Sequence, residues 1–224
     1  MRFLRLLGVA TALATLGVAA PASAEWFADL YSGVVVWVDP TIHVDVGGVS
    51  REKSKDTTIA DLTIGGRFGY WLHPLPWLGF ALDTSYYQLD VTPKNAKNLF
   101  LQDAKLQVIP ITPMVMARLP LLESSEFPTG QLQPYIGAGP GIFLHHRKVD
   151  FQNGDRIRNE TVDVGADVRA GVAWRFTPLF GIFAEYRFNY FSESAGGNIA
   201  AGRFDAHTNV YINSGLAGIR FTWG

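Results

Sequence analysis

The sequence predicts an all-β fold, an eight-stranded antiparallel up-and-down transmembrane β-barrel, and three observations lead to it. Apolar residues recur at every second position over long stretches, which is the period of a β-strand. Several stretches run for ten residues or more, whereas a strand of a soluble protein has about five or six. Short proline-containing turns alternate with longer polar segments, as they do in membrane barrels.

The alternation is clearest over residues 162–190. From Val162 to Trp174 one parity is apolar throughout, and the other holds small residues and opposite charges. After a turn at 176–179 the pattern repeats from Ile182 to Tyr190. An aliphatic and aromatic band opposite mixed charges is typical of a barrel with lipid outside and a polar interior. The alternative is a soluble lipocalin-like barrel, which inverts the faces, and the charge pairs argue against it.

The same pattern divides the rest of the chain into strands and connections. We predict strands at about 26–38, 58–72, 77–91, 99–119, 133–147, 162–175, 180–190 and 207–223. The polar segments 39–56, 92–98, 148–160 and 192–206 are predicted as four outer loops. The fourth strand contains Pro110 and Pro113 on opposite faces. Because proline has no N–H to donate, each proline requires a bulge or a local break in the ladder.

The first 24 residues are predicted to be a signal peptide. Arg2 and Arg5 precede an apolar run, and Ala22-Ser23-Ala24 is a small-residue cleavage site. The barrel domain is then predicted at 25–224. Its 17 basic and 20 acidic residues give a net charge of −3, which argues against a nucleic-acid partner. The absence of cysteine excludes a disulfide framework and a thiolate metal site.

The inner face of the predicted strands carries five acids and five bases. They are Asp61, Asp83, Asp163, Asp167, Glu185, Arg67, Arg169, Arg175, Arg187 and Arg220. Buried charges must be paired or solvated, since removing a lone charge from water is very costly. An eight-stranded barrel is just wide enough for side chains to fill it. We therefore predict a salt-bridged network in the barrel interior, with a gated narrow pore as the alternative use of the same residues.

Other polar residues suggest chemistry only weakly. Ser192, Glu193 and Ser194 stand where the seventh predicted strand passes into the fourth loop, and His207 begins the eighth strand, so a nucleophile, a carboxylate and a base could meet across this loop. His43 and Asp45 share a face at a spacing of two, which suits a metal ion, but the sequence offers no third ligand of clear geometry. We therefore predict no catalytic residue, no cofactor and no metal.

Four motifs carry a family resemblance. They are Trp26-Phe27-Ala28-Asp29-Leu30, Pro134-Tyr135-Ile136-Gly137-Ala138-Gly139, Ala184-Glu185-Tyr186-Arg187 and Gly218-Ile219-Arg220-Phe221. With them the chain resembles the small eight-stranded outer-membrane β-barrels of Gram-negative bacteria, the OmpA/OmpX-like superfamily. The resemblance implies a multi-pass barrel in the cell outer membrane, surrounded by lipid and lipopolysaccharide. It also implies insertion by the barrel assembly machinery.

The predicted function is a structural or surface-interacting one. The barrel would anchor in the outer membrane and display its loops, and the sequence does not identify the partner of those loops. The alternative is a narrow channel for small solutes or hydrophobic molecules. A third hypothesis, from another class, is an enzyme that modifies lipid A.

Overall fold

The computed structural model describes residues 25–37, 42–46, 49–53, 59–91, 101–151, 156–199 and 202–224. These residues form ten β-strands. The strands are β1 (Glu25–Trp37), β2 (Ile42–Val46), β3 (Val49–Lys53), β4 (Ile59–Trp71), β5 (Leu78–Val91), β6 (Leu101–Arg118), β7 (Leu132–Phe151), β8 (Arg156–Arg175), β9 (Phe180–Ile199) and β10 (Gly202–Trp223). None of the described residues belongs to a helix long and apolar enough to cross a membrane. The predicted signal peptide, residues 1–24, lies outside the described residues.

Eight of the ten strands close into a barrel. The order around the sheet is β1, β4, β5, β6, β7, β8, β9 and β10, and β1 pairs with β10 to complete the ring. All of these pairings are antiparallel. The closing ladder runs from Trp26 opposite Trp223 to Trp37 opposite Ile212. The predicted fold, an eight-stranded antiparallel up-and-down barrel, is confirmed.

Side chains alternate between the outside of the barrel and its interior. On β8, Val164 is 71% exposed and Val168 is 49% exposed, whereas Asp167 and Arg169 are buried. Apolar residues thus cover the outside and charged residues point inward, as the sequence pattern predicts. The three short connections, at 72–77, 119–131 and 176–179, lie at the same end as Glu25 and Gly224. We call this the short-turn end.

At the other end, the long-strand end, the ladders extend further than the sequence predicts. The predicted loop at 39–56 is wrong in part, because β2 and β3 form a hairpin there, and β2 pairs with β10 over residues 204–208. The predicted loops at 148–160 and 192–206 are also too long. There β7 continues to Phe151 before β8, and β9 continues to Ile199 before β10. Backbone hydrogen bonds hold these segments as strands although their faces do not alternate in polarity. The loop predicted at 92–98 lies outside the described residues.

The two prolines of β6 interrupt the ladders without shifting the register. Pairing between β5 and β6 stops beside Pro110, and resumes in the same register. Pairing between β6 and β7 stops beside Pro113, which would stand opposite Pro140. Neither residue of that pair has an N–H to donate. The chain therefore accommodates Pro110 and Pro113 by local breaks rather than by bulges.

Candidate functional site: the charged interior

Midway along the barrel the interior is filled by four arginines and four carboxylates. They are Arg67, Arg169, Arg187, Arg220, Asp29, Asp83, Asp167 and Glu185, and all of them are buried. We call this set the central network. With Thr112 of β6 and Tyr135 of β7, which donate hydrogen bonds to Asp167 and Glu185, it receives a side chain from each of the eight barrel strands. Its formal charge is zero, so every buried charge has an opposite charge to neutralise it.

Asp83 is the hub of the central network. Its carboxylate lies 3.2 Å from Arg67 Nε and 2.8 Å from Arg169 Nη1. A third arginine, Arg187, approaches within 3.1 Å, and the Tyr31 hydroxyl donates a hydrogen bond of 2.8 Å. Three guanidinium groups around one carboxylate repel each other. The arrangement is stable only because further carboxylates neutralise them.

Two of those further carboxylates, Glu185 and Asp29, each accept two hydrogen bonds from an arginine. Arg67 donates through Nη2 to both oxygens of Glu185, at 2.8 and 2.6 Å. Arg220 donates from Nε and Nη2 to the two carboxylate oxygens of Asp29, at 2.7 and 2.8 Å. The fork of a guanidinium matches the two oxygens of a carboxylate, and such pairs are stronger than neutral hydrogen bonds. The network therefore ties distant strands together through directed bonds.

Glycines on the inner face make room for two tyrosine rings. A Cβ added to Gly65 would lie 2.5 Å from the Tyr31 hydroxyl, and one added to Gly171 would lie 2.6 Å from the Tyr135 hydroxyl. Because glycine has no Cβ, the rings of Tyr31 and Tyr135 can lie against the backbone at Gly65 and Gly171. Their hydroxyls thereby reach Asp83 and Glu185. The Gly residues of the inner face thus serve the network sterically.

The structure distributes the ten predicted interior residues over three levels. The central network contains seven of them, which are Arg67, Asp83, Asp167, Arg169, Glu185, Arg187 and Arg220. Asp163 lies instead 3.4 Å from His145, towards the long-strand end. Arg175 lies at the short-turn end, and Asp61 accepts a hydrogen bond from the backbone N–H of Leu62. Parity therefore predicts the face of these residues but not their depth.

Asp29 is the member of the central network that the sequence reasoning missed. It is 1% exposed and pairs with Arg220 and Arg67. The signal was present, because Phe27, Asp29 and Tyr31 alternate with exposed or half-buried neighbours on β1. The continuous Val34-Val35-Val36 run in the same strand obscured this parity.

The short-turn end is closed by the connection between β6 and β7. Phe127 of this connection is buried, and the guanidinium of Arg175 lies 5.7 Å from its ring centroid. Glu25 holds the connection in place, because its carboxylate accepts hydrogen bonds from Arg118 and from the Thr129 hydroxyl. We call residues 119–131 with these anchors the end plug.

Between the central network and the long-strand end the interior is mostly apolar, with His145 buried among the apolar residues. The buried residues of this layer are Val35, Trp37, Tyr87, Leu106, Val108, Phe143, Phe191, Val210 and Ile212. Phe143 and Phe191 pack with ring centroids 4.4 Å apart, and His145 lies 4.8 Å from Phe191. The interior thus consists of an end plug, a charged layer and an apolar layer in sequence.

The register places two of the residues considered for catalysis directly opposite each other. Ser194 of β9 lies opposite His207 of β10, whereas Glu193 lies opposite Thr208 and Ser192 lies opposite Asn209. Among the residues whose side chains the structure describes, no group of three or more His, Asp or Glu side chains is placed to hold a metal ion.

The barrel and its surface define a class of protein. Apolar and aromatic residues cover the outside, and rings gather near the short-turn end, where Trp26 lies 4.7 Å from Tyr70 and Phe180 lies 5.4 Å from Phe221. A lipid-facing apolar band, an aromatic girdle and a polar core in a closed antiparallel barrel describe an outer-membrane β-barrel. Its outside therefore meets lipid and lipopolysaccharide, and its short turns face the periplasm.

Comparison with known proteins places the chain more narrowly. The chain belongs to the family described as outer membrane protein beta-barrel domain, which it matches over residues 10–215. No curated protein matches it. Neisserial surface protein A is 17% identical, with a TM-score of 0.52 over 91% of this chain and 99% of that one. OprG from Pseudomonas aeruginosa is 14% identical, with a TM-score of 0.62 over 90% of this chain and 97% of that one. At these identities the two structures support the fold alone, and the protein is an outer-membrane barrel of Gram-negative type.

Proposed function

We propose that this protein is a closed, non-conducting barrel that anchors an extended β-sheet at the outer surface of the cell. The single observation that carries the proposal is the central network, which fills the middle of the barrel with buried, mutually neutralised charges. The end plug and the apolar layer support it, since they occupy the interior on either side of the network.

Transport through this interior would require the network to open. An ion or solute that moves past Asp83 must separate it from Arg67, Arg169 or Arg187. Breaking a buried pair leaves an uncompensated charge, at a cost of about 3–5 kcal/mol for each partner removed. The apolar layer adds a second barrier, because it offers few polar groups to a hydrated ion. A structural role therefore fits the interior better than a channel does.

The surface role rests on the extension of the strands. Over residues 156–164 strand β8 pairs with β7, while its ladder with β9 begins only at Gly165 opposite Phe191. On the other side β10 pairs with β2 of the β2–β3 hairpin. The sheet thus extends beyond the closed barrel in two separate parts, and the sequences of these parts are rich in polar residues. We propose that the barrel is inserted by the barrel assembly machinery. We propose neither a catalytic role nor a nucleic-acid partner.

Planar-bilayer recordings test the proposal. We expect the wild-type protein to give no conductance steps. The matched variant Arg67→Ala/Glu185→Ala removes one ion pair from the centre of the barrel without a change in net charge. We expect this variant to give small steps, because it opens space across the network. Regular steps from the wild-type protein, at the size given by the variant, would contradict a closed barrel.

A further inference from the structure

Aromatic and amide side chains gather on the outer surface of β9 and β10, towards the long-strand end. The residues that face outward there are Tyr186, Phe188, Tyr190, Asn209, Tyr211 and Asn213. We call them the tyrosine–asparagine patch. We infer that this patch is a binding site for the sugar headgroup of a glycolipid of the outer leaflet. The patch lies on the outside of the barrel, so the inference does not depend on whether the interior is closed.

Two tyrosines fix the orientation of the two asparagines. The Tyr186 hydroxyl donates a hydrogen bond to Oδ1 of Asn213, and the Tyr190 hydroxyl donates one of 3.4 Å to Oδ1 of Asn209. Because Oδ1 faces the tyrosine, the NH2 end of each amide, with its two donors, points to the other side. The phenol oxygens keep lone pairs that can accept. The patch therefore offers both donors and acceptors, as a partner with many hydroxyl groups requires.

The patch stands at the outer boundary of the membrane. The rings of Phe180 and Phe221, 5.4 Å apart, mark the periplasmic boundary at the short-turn end. Tyr211 lies ten residues from Phe221 along β10. At about 3.4 Å per residue and a tilt of about 40°, ten residues rise roughly 26 Å, and the apolar band of such a barrel is about 25 Å tall. Asn213 therefore lies just inside the outer boundary, and Asn209 lies just outside it.

The surface between the patch and the short-turn end consists of small side chains. Tyr186 lies opposite Gly215, Ala184 lies opposite Ala217, and Ala217 lies opposite Ser32 of β1. These residues border a depression of the outer surface, and a Cβ added to Gly215 would meet no atom within 4 Å. A glycolipid has the same division along the membrane normal, with acyl chains in the apolar band and sugars at its edge. An acyl chain in the depression would place its sugar against the patch.

A general aromatic girdle does not account for the patch. A girdle surrounds a barrel at the membrane boundary and contacts any lipid. At a comparable height on β6, β7 and β8 the outward-facing residues are aliphatic, namely Ile109, Leu144 and Val164. The patch itself contains no charged residue, so it suits the rings and hydroxyls of a sugar better than a phosphate group. Tyrosine rings pack against the C–H faces of sugars, and amides bond their hydroxyls.

Native mass spectrometry of the purified protein, folded in detergent micelles, tests the inference. The probe is purified lipid A, whose headgroup is a sugar, in competition with phosphatidylethanolamine, which has none. We expect one retained lipid A per chain, and the same preference for dephosphorylated lipid A. In Asn209→Ala/Asn213→Ala we expect the affinity for lipid A to fall at least fivefold. Gln107→Ala, which removes an outward-facing amide of β6, is the matched control and should leave the affinity unchanged.

Each variant is first shown to be folded by its shift in gel mobility on heating. The inference is wrong if the wild-type protein does not prefer lipid A to phosphatidylethanolamine, or if the double asparagine variant binds lipid A as well as wild type. A preference that disappears on dephosphorylation would also overturn it, since the protein would then recognise a phosphate. Should the asparagine variants not fold, Tyr211→Leu replaces them, with Tyr86→Leu, at a 40% exposed tyrosine of β5, as its control. Equal lipid A binding by these two variants would give the same negative answer.

Discussion

Replacing Asp83 with asparagine removes one negative charge from the centre of the barrel while it preserves the size of the side chain. Asp83 lies within 3.2 Å of nitrogen atoms of three arginines, and it is 1% exposed. In Asp83→Asn the central network keeps four arginines but only three carboxylates. At this burial the side chain is shielded from bulk water, so the folded state bears most of the cost of the excess positive charge.

The expected loss is that of breaking a buried ion pair. Removal of one partner from such a pair costs about 3–5 kcal/mol, because the other charge stays buried without compensation. The amide of asparagine still accepts one hydrogen bond, which places the expectation for Asp83→Asn in the lower part of this range. At a slope of about 3 kcal/mol per molar urea, the unfolding midpoint falls by roughly 1 M.

Urea unfolding of the folded protein in detergent or lipid, followed by the heat-dependent gel shift, measures this change. Asp61→Asn is the matched control, since Asp61 is also an acid of the inner face and its carboxylate accepts a hydrogen bond only from the Leu62 backbone in the described structure. We expect this control to lose less than about 1 kcal/mol. Equal midpoints for the two variants would refute the view that the network stabilises the barrel.

Three further predictions concern other parts of the barrel. In Gly171→Ala the new Cβ lies 2.6 Å from the Tyr135 hydroxyl, so we expect a loss of about 1–3 kcal/mol in the same urea experiment, and an unchanged midpoint would contradict the steric role. Glu25→Gln weakens the anchors of the end plug, and protease should cleave residues 119–131 faster than in wild type; equal rates would show that other contacts hold the plug. Ile136→Arg places a charge at a 62% exposed position of the lipid face, which costs about 2–4 kcal/mol. The fraction of protein that is inserted, measured by the heat-dependent gel shift, should therefore decrease. An undiminished inserted fraction would place residue 136 outside the bilayer.

The faces of the strands were predictable because parity is a local property of the sequence. Arg67, Asp83 and Glu185 each occupy the parity opposite an apolar row, and all three are buried in the barrel. Their depth was not predictable in the same way. Which residues meet across a closed barrel depends on the stagger between strands, which the alternation within one strand does not encode. Arg175 and Asp163 thus have the predicted face but lie on either side of the central network.

The strand extensions escaped prediction for a related reason. Alternation arises where one face meets lipid, and beyond the membrane both faces meet water. Residues 156–160 and 192–199 therefore read as polar loops, although their backbones continue the ladders of β8 and β9. The sequence of β2 does alternate, with Ile42, Val44 and Val46 at every second position, but the charged residues around it outweighed that signal.

The barrel interior contains charged rather than apolar side chains for a reason that concerns the unfolded chain on its way to the membrane. The outer face must be apolar to meet lipid, so an apolar inner face as well would make each strand a continuous hydrophobic run. A run of about 20 apolar residues is read as a membrane-spanning helix, and strands such as β8, with 20 residues, approach that length. Asp167 and Arg169 on the inner face interrupt the run. Once the barrel has closed, the same charges must be neutralised, and pairing among the six strands that carry them achieves this. The unfolded chain needs charges in its strands so that no strand is read as a membrane-spanning helix. The central network is the arrangement that neutralises those charges once the barrel has folded.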